Sequence, residues 1–263
     1  MATYKKRGGK IRKQKIKNDG SYLEDVKFDG ESTTQEVFDS LDETASRSEQ
    51  WLEKNAKMVY TVLGVFLLAI LGYMAYNSFV KEPKEVKAAN YLAYSKAAFN
   101  DAEKATKGID SLYNIALNGA DNKYGLLEVA SKFSGTKAGN LANYMAGISY
   151  LKTNEYDKAI EFLNNFSSDD VILEPMAKGK IGDAFAEINQ LEDALNYYKQ
   201  AATVRENSFS TPLYLFKAAN TALDLGKFDE ALKMFEQIKN NYPKADEAKE
   251  IDMYINRAKY ASK

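Results

Sequence analysis

Residues 58 to 80 form a run of 23 residues without a formal charge, bracketed by Lys57 and Lys81. No other feature restricts the chain as strongly. Val62 to Leu71 is almost continuously aliphatic, with Phe66 inside it. About 20 apolar residues in a helix cross a bilayer core of roughly 30 Å, and this stretch is apolar around its whole circumference, unlike an amphipathic surface helix. Tyr60 at one end, with Tyr73 and Tyr76 at the other, suits the aromatic belts of the two interfaces. Gly64 and Gly72 allow another helix to come close. The run starts after residue 57 and is too long for the apolar region of a cleavable secretory signal. It predicts an uncleaved, single-pass membrane anchor.

Charge sets the expected orientation. The chain carries 36 Lys and Arg against 37 Asp and Glu, so its total charge names no partner. Before residue 58, however, there are twelve Lys or Arg, and the segment after Val80 is 183 residues long. A short basic tail stays on the cytoplasmic side, whereas a long domain is translocated largely regardless of its charge. The expectation is an N-terminus in the cytoplasm and a C-terminal domain on the far side of the membrane.

Eight of the basic residues, Lys5, Lys6, Arg7, Lys10, Arg12, Lys13, Lys15 and Lys17, form a run with no acid among them. Such an arm pairs with phosphates, either of ribosomal RNA or of anionic lipid, or serves only as a topology signal. Residues 1–36 hold too few large apolar groups for a packed core. Thr33 and Thr34 ahead of Glu36 mark a helix start, and Val37, Leu41, Ala45 and Leu52 keep helical spacing toward Trp51 and Lys54. Residues 37–57 are therefore expected to form an amphipathic juxtamembrane helix, with Trp51 as an interfacial anchor.

Chemistry is restricted by what is missing. There is no cysteine and no histidine, which excludes disulfides, thiolate nucleophiles, zinc sites built on those residues and the usual general base near pH 7. No catalytic, cofactor or metal site is expected, and the chain is predicted not to be an enzyme.

The C-terminal half repeats itself. Gly-Ile-Ser-Tyr at 147–150, Gly-Asp-Ala-Phe at 182–185 and Ala-Asn-Thr-Ala at 219–222 are spaced by 35 and 37 residues. Twelve residues after each opening small residue stands an alanine: Ala159, Ala194 and Ala231. Each sits in a matching block, Tyr156-Asp-Lys-Ala-Ile, Leu191-Glu-Asp-Ala-Leu and Phe228-Asp-Glu-Ala-Leu. A large residue follows four positions on: Leu163, Tyr198 and Phe235. Two antiparallel helices cross closely only where small residues meet, and the large side chain then fills the gap beside them. The pattern is that of the tetratricopeptide repeat, and the spacings sit just above its period of about 34 residues. Ala245 to Tyr260, with Ile251, Tyr254, Ile255 and Ala258 on one face, reads as the helix that caps the open end.

The expected fold is all-α: a single N-terminal transmembrane helix followed by a tetratricopeptide-repeat solenoid with a C-terminal capping helix. Its parts are a basic tail (1–36), the juxtamembrane helix (37–57), the span (58–80), a linker helix with short helices (81–135), and three repeats with the cap (136–263). In such repeats the first helix of each pair lines the concave face. That places Leu141, Tyr144, Ile148 and Leu151, then Met176, Asp183 and Glu187, then Leu213, Phe216, Asn220 and Leu223 in a groove for peptide segments. Repeats that clamp a C-terminal carboxylate carry Lys and Asn where Tyr144 and Ile148 stand, so that mode is disfavoured. The same positions are alternatively covered by the preceding helices at 86–133.

Lys123-Tyr-Gly, Phe133-Ser-Gly-Thr-Lys-Ala-Gly-Asn-Leu-Ala and Lys178-Gly-Lys-Ile-Gly-Asp-Ala-Phe, together with the order of parts, resemble the YfgM-like family of ancillary subunits of the bacterial SecYEG translocon, in its Bacteroidota form. The resemblance covers about residues 33–260. It implies a periplasmic repeat domain beside the translocon, with Sec subunits, periplasmic chaperones and translocating polypeptides as partners. The basic run is longer than the family pattern. Two other functions share this architecture: an envelope scaffold for division, secretion or surface machinery, and an organelle import receptor with cytosolic repeats.

Overall fold

The computed structural model describes residues 51–261, so the basic tail and most of the expected juxtamembrane helix lie outside the described residues. The chain divides into two compact units, residues 1–68 and 69–263. In the first, residues 51–54 are helical and helix α1 (Ala56–Tyr76) begins. None of the residues of α1 is buried.

Among the described residues one helix is long and apolar enough to cross a membrane, and it runs unbroken from Ala56 to Lys104. The expected separate N-terminal span is thus corrected: the apolar stretch is the first part of a longer helix and is not N-terminal. Its second part is α2 (Glu82–Lys104), joined to α1 by a π-helical turn at Asn77–Lys81. Pro83 explains the turn. A proline inside a helix has no N–H to give and its ring collides with the carbonyl four residues back, here that of Phe79. Widening the turn relieves that collision without ending the helix. The Glu82 amide accordingly donates to the carbonyl of Asn77, five residues back.

In the second unit, α2 is followed by α3 (Ile109–Asn118) and α4 (Leu126–Lys132). Ala88 and Leu92 from α2, Ala116 and Leu117 from α3, and Leu126 and Val129 from α4 are buried in one cluster. They share it with Ala138, Ala142 and Met145 of α5 (Lys137–Lys152), the first helix of the first repeat. Tyr91 of α2 stacks on Tyr124, with ring centres 4.4 Å apart, and on Phe133 at 5.5 Å.

Three helix pairs follow: α5 with α6 (Tyr156–Asn164), α7 (Leu173–Glu187) with α8 (Leu191–Thr203), and α9 (Ser210–Asp224) with α10 (Phe228–Asn241). The second helix of each pair opens on the large residue of its repeat block: Tyr156, Leu191 and Phe228. A 3-10 turn at Asp246–Ala248 and α11 (Ile251–Ala261) close the array. Each helix packs on its chain neighbours, and each first helix also touches the first helix of the next pair. That nearest-neighbour pattern, without strands among the described residues, is a tetratricopeptide-like solenoid.

The crossing contact differs in one respect from the sequence-based expectation. Ala159, Ala194 and Ala231 are fully buried, but the first-helix glycines press on the large residue four positions later. A Cβ on Gly147 would lie 2.5 Å from Cγ of Leu163, and one on Gly182 would lie 2.7 Å from the ring of Tyr198. The small residue is there to admit the large one.

Each pair turns through the same hydrogen-bonded cap. Asn154, Asn189 and Gly226 have φ of 60°, 59° and 73°. The amide after each reaches back five residues, Glu155 to Tyr150, Gln190 to Phe185 and Lys227 to Ala222, at 2.8–2.9 Å. This is the helix ending that favours glycine, and sometimes asparagine, at its left-handed residue. A Cβ on Gly226 would meet nothing within 4 Å, so Gly226→Ala isolates the backbone cost. It is expected to destabilise by about 1 kcal/mol, whereas Asn189→Gly should be neutral or stabilise by a few tenths. Urea unfolding of the full chain in detergent checks both signs.

The first helices are capped by side chains. Thr136 Oγ accepts from the Gly139 amide ahead of α5. Asp170 accepts from the amides of Ile172 and Leu173 ahead of α7, and these two bonds hold its carboxyl below the usual range. Asn207 does the same for Phe209 and Ser210 ahead of α9, while its Nδ2 donates to the Val171 carbonyl of the previous loop. One side chain thereby starts a helix and ties two repeats together.

Candidate functional site

The face made by the first helices is not equally open along its length. In the first repeat it is filled. Leu141 packs on the cluster shared with α2, and Tyr144 packs with Phe99 of α2 against Ile148, Leu163 and Phe166. Ile148 is only 7 % exposed and belongs to that core. Burial raises the Tyr144 phenol above its ordinary value, and the nearby carboxylate of Glu103 adds to this. Of the first set of expected groove residues, Leu151 alone reaches an open cleft. Ile148 and, in the third repeat, buried Leu223 are core residues, which corrects their assignment to the groove. Both fall on the inward side of the stripe whose outward side was sought.

Two clefts open further along. The first, of about 430 Å³, is lined by Leu151, Lys152, Lys180, Asp183, Tyr198 and Lys217 among others. The second, of about 570 Å³, lies between α9 and the cap and is lined by Leu213, Phe216, Lys217, Glu250 and Tyr254 among others. Lys217 belongs to both. Phe216 meets the ring of Tyr254 edge-on at 4.8 Å and that of Phe235 at 5.9 Å. The Asn220 amide donates back to the Phe216 carbonyl. Met176 is half-buried and lines neither cleft.

Asp183 is the centre of the first cleft. Its carboxylate accepts from Lys180 at 2.9 Å, from Lys217 at 2.6 Å and from the Tyr198 hydroxyl at 2.9 Å. Three helices thus converge on one side chain: α7, α9 and α8. Lys180 and Lys217 occupy the same position in successive repeats, two residues before Gly182 and Ala219. Burial alone would push the Asp183 carboxyl up, but Lys180 and Lys217 outweigh it and hold it below the usual range. Burial, then Asp183, pushes the Tyr198 phenol well above its ordinary value. Tyr214, stacked on Tyr198 at 6.4 Å, is raised for the same two reasons. At neutral pH the carboxylate is ionised and both phenols are protonated, so neither is poised to exchange protons there, as a general acid or base must be. The cluster fastens helices and leaves one surplus positive charge, two ammoniums against one carboxylate, at the cleft wall.

The comparison with protein families agrees with the repeat architecture. Residues 141–169 and 214–245 match the tetratricopeptide repeat model, which are the first and third of the three helix pairs. The repeats are tetratricopeptide-like. Two crystal structures of nearly identical TPR-like repeats of a Podosopora anserina protein described as a kinesin light chain, one of them a point variant, superpose with a TM-score of 0.48 at 13 % identity. They cover 66 % of this chain and 87 % of theirs. Among curated proteins none matches the chain. Tetratricopeptide repeats generally mediate protein–protein interaction.

The repeat register exposed Asp183, Leu213 and Phe216 to sequence reasoning. Lys180, Lys217, Tyr198 and Tyr254 were missed. Lys180 and Lys217 carried a legible signal, the same residue at the same repeat position; Tyr254 was assigned to the cap as a core residue only.

Proposed function

We propose that the chain is a membrane-anchored binding scaffold, not an enzyme, whose repeat clefts hold extended segments of polypeptides as an ancillary subunit of the bacterial Sec translocon. The observation that carries the binding part is the pair of clefts joined at Lys217, apolar at Leu213, Phe216 and Tyr254 and charged at Asp183. An extended chain suits such a path because its side chains alternate and its backbone remains available for hydrogen bonds. The anchoring part is supported by the exposed apolar helix beginning at Ala56 and by the basic residues that precede it. The translocon part rests on the resemblance of residues 33–260 to the YfgM-like subunits, with periplasmic chaperones and translocating chains as partners. The N-terminal arm, on the cytoplasmic side in this proposal, would meet the ribosome or anionic lipid there.

Two measurements test the proposal. Protease added outside spheroplasts is expected to digest the repeat domain while leaving the tail intact; digestion of the domain only after lysis would reverse the orientation. Purification of the full chain from gently solubilised membranes is expected to bring Sec subunits with it. Their absence, with other envelope machinery in their place, would favour the envelope-scaffold alternative.

A further inference from the structure

The apolar helix does not hand over to the repeats through a loose tether. From Ala69 it runs through Lys81 into α2, and within one turn of Lys81 the repeat unit is bonded to it. Lys84 Nζ donates to the carbonyl of Ser134 at 2.9 Å. The amide of Lys137, at the start of α5, donates to both carboxylate oxygens of Glu85 at 3.0 and 3.2 Å. Just beyond, the stack of Tyr91 on Tyr124 and Phe133 fixes α4 to the same helix. The corner at 133–137 therefore sits at the height of Lys84 and Glu85.

A helix rises 1.5 Å per residue, which puts Lys84 about 4.5 Å beyond Lys81 along the axis. The headgroup layer on each side of a bilayer is about 5–7 Å deep. Lys81, Lys84 and Lys137 are exposed here, beside exposed Glu82 and half-buried Glu85, so the lysines outnumber the acids. Lysines at this depth meet lipid phosphates. Phe79 and Val80, 81 % and 50 % exposed, lie one turn deeper on the apolar side.

We infer that the corner at 133–137, where the repeat unit begins, is seated in the lipid headgroup layer beside the apolar helix, with Lys81, Lys84 and Lys137 against the phosphates. This rests on the membrane anchor proposed above.

The lack of cysteines makes the test clean. The full chain is reconstituted in nanodiscs containing anionic lipid, with a bimane label at a single cysteine. Ser134→Cys reports the corner, Lys104→Cys reports a point about 34 Å past Lys81 on the same helix, and Leu67→Cys reports the span. A headgroup-attached nitroxide is expected to quench Ser134→Cys several-fold more than Lys104→Cys, and a brominated acyl chain to quench Leu67→Cys. Equal quenching at 134 and 104, with Leu67→Cys quenched, overturns the inference and leaves the anchor standing. Loss of acyl-chain quenching at 67 overturns the anchor, and the inference with it.

Discussion

Gly179→Ala is expected to destabilise the repeat unit by about 2 kcal/mol, although it replaces a poor helix former with the best one. The added Cβ would stand 1.9 Å from Cε1, 2.1 Å from Cζ and 2.6 Å from the hydroxyl oxygen of Tyr214. Tyr214 is 2 % exposed and its ring stacks on Tyr198, so it has little room to retreat. Overpacking of this kind costs about 1–3 kcal/mol, sometimes more, and the gain in helix propensity returns about 1 kcal/mol. Shortening the opposing side chain should relieve the clash, so Tyr214→Ala and Gly179→Ala together ought to cost less than the sum of the two. A coupling of at least about 1 kcal/mol in that cycle is expected. Denaturant unfolding of the four chains gives it, and additive costs would mean that α7 and α9 do not approach at Gly179.

The second large effect belongs to Asp183. Replacing it with alanine leaves Lys180 and Lys217 facing each other without the carboxylate, and the Tyr198 hydroxyl without its acceptor. Breaking a buried pair in this way costs about 3–5 kcal/mol. The two lysine side chains are 33 % and 35 % exposed, so water screens part of the loss, and about 2 kcal/mol is expected. The pH dependence has a definite sign. The lysines lower the folded-state value of Asp183 below its ordinary 3.8. Its contribution is therefore fully present above that ordinary value and is lost as pH falls through the folded one. Thermal unfolding should show wild type and Asp183→Asn far apart at pH 7 and converging below about pH 4. A gap that persists at the lowest pH would show that packing, not charge, accounts for the difference.

The repeats were legible because their signal is redundant. The period of 35 and 37 residues, the small residues at 147, 182 and 219 and the large ones at 163, 198 and 235 all mark one crossing, and the fold places them there. The second-helix starts at Tyr156, Leu191 and Phe228 followed from the same blocks. What the sequence hid depends on contacts between distant segments. Whether Tyr144 lines a groove is decided by Phe99, some 45 residues away, and no local pattern records that α2 lies across the first repeat. The helix from Ala56 to Lys104 was divided because its uncharged run ends at Lys81; charge marks where an apolar stretch stops, not where a helix does. The ammonium pair on Asp183 was visible only through register: Lys180 is one turn away, but Lys217 comes from the next repeat.

The central claim, that the clefts joined at Lys217 hold a polypeptide segment at the translocon, is tested most directly by photocrosslinking in membranes carrying a secretory chain arrested in transit. A photoreactive benzoylphenylalanine in place of Phe216 is expected to capture the arrested chain, while the same group in place of exposed Lys233 on α10, which lines neither cleft, is expected not to. Capture at 233 but not at 216, or equal capture at both, would contradict the account.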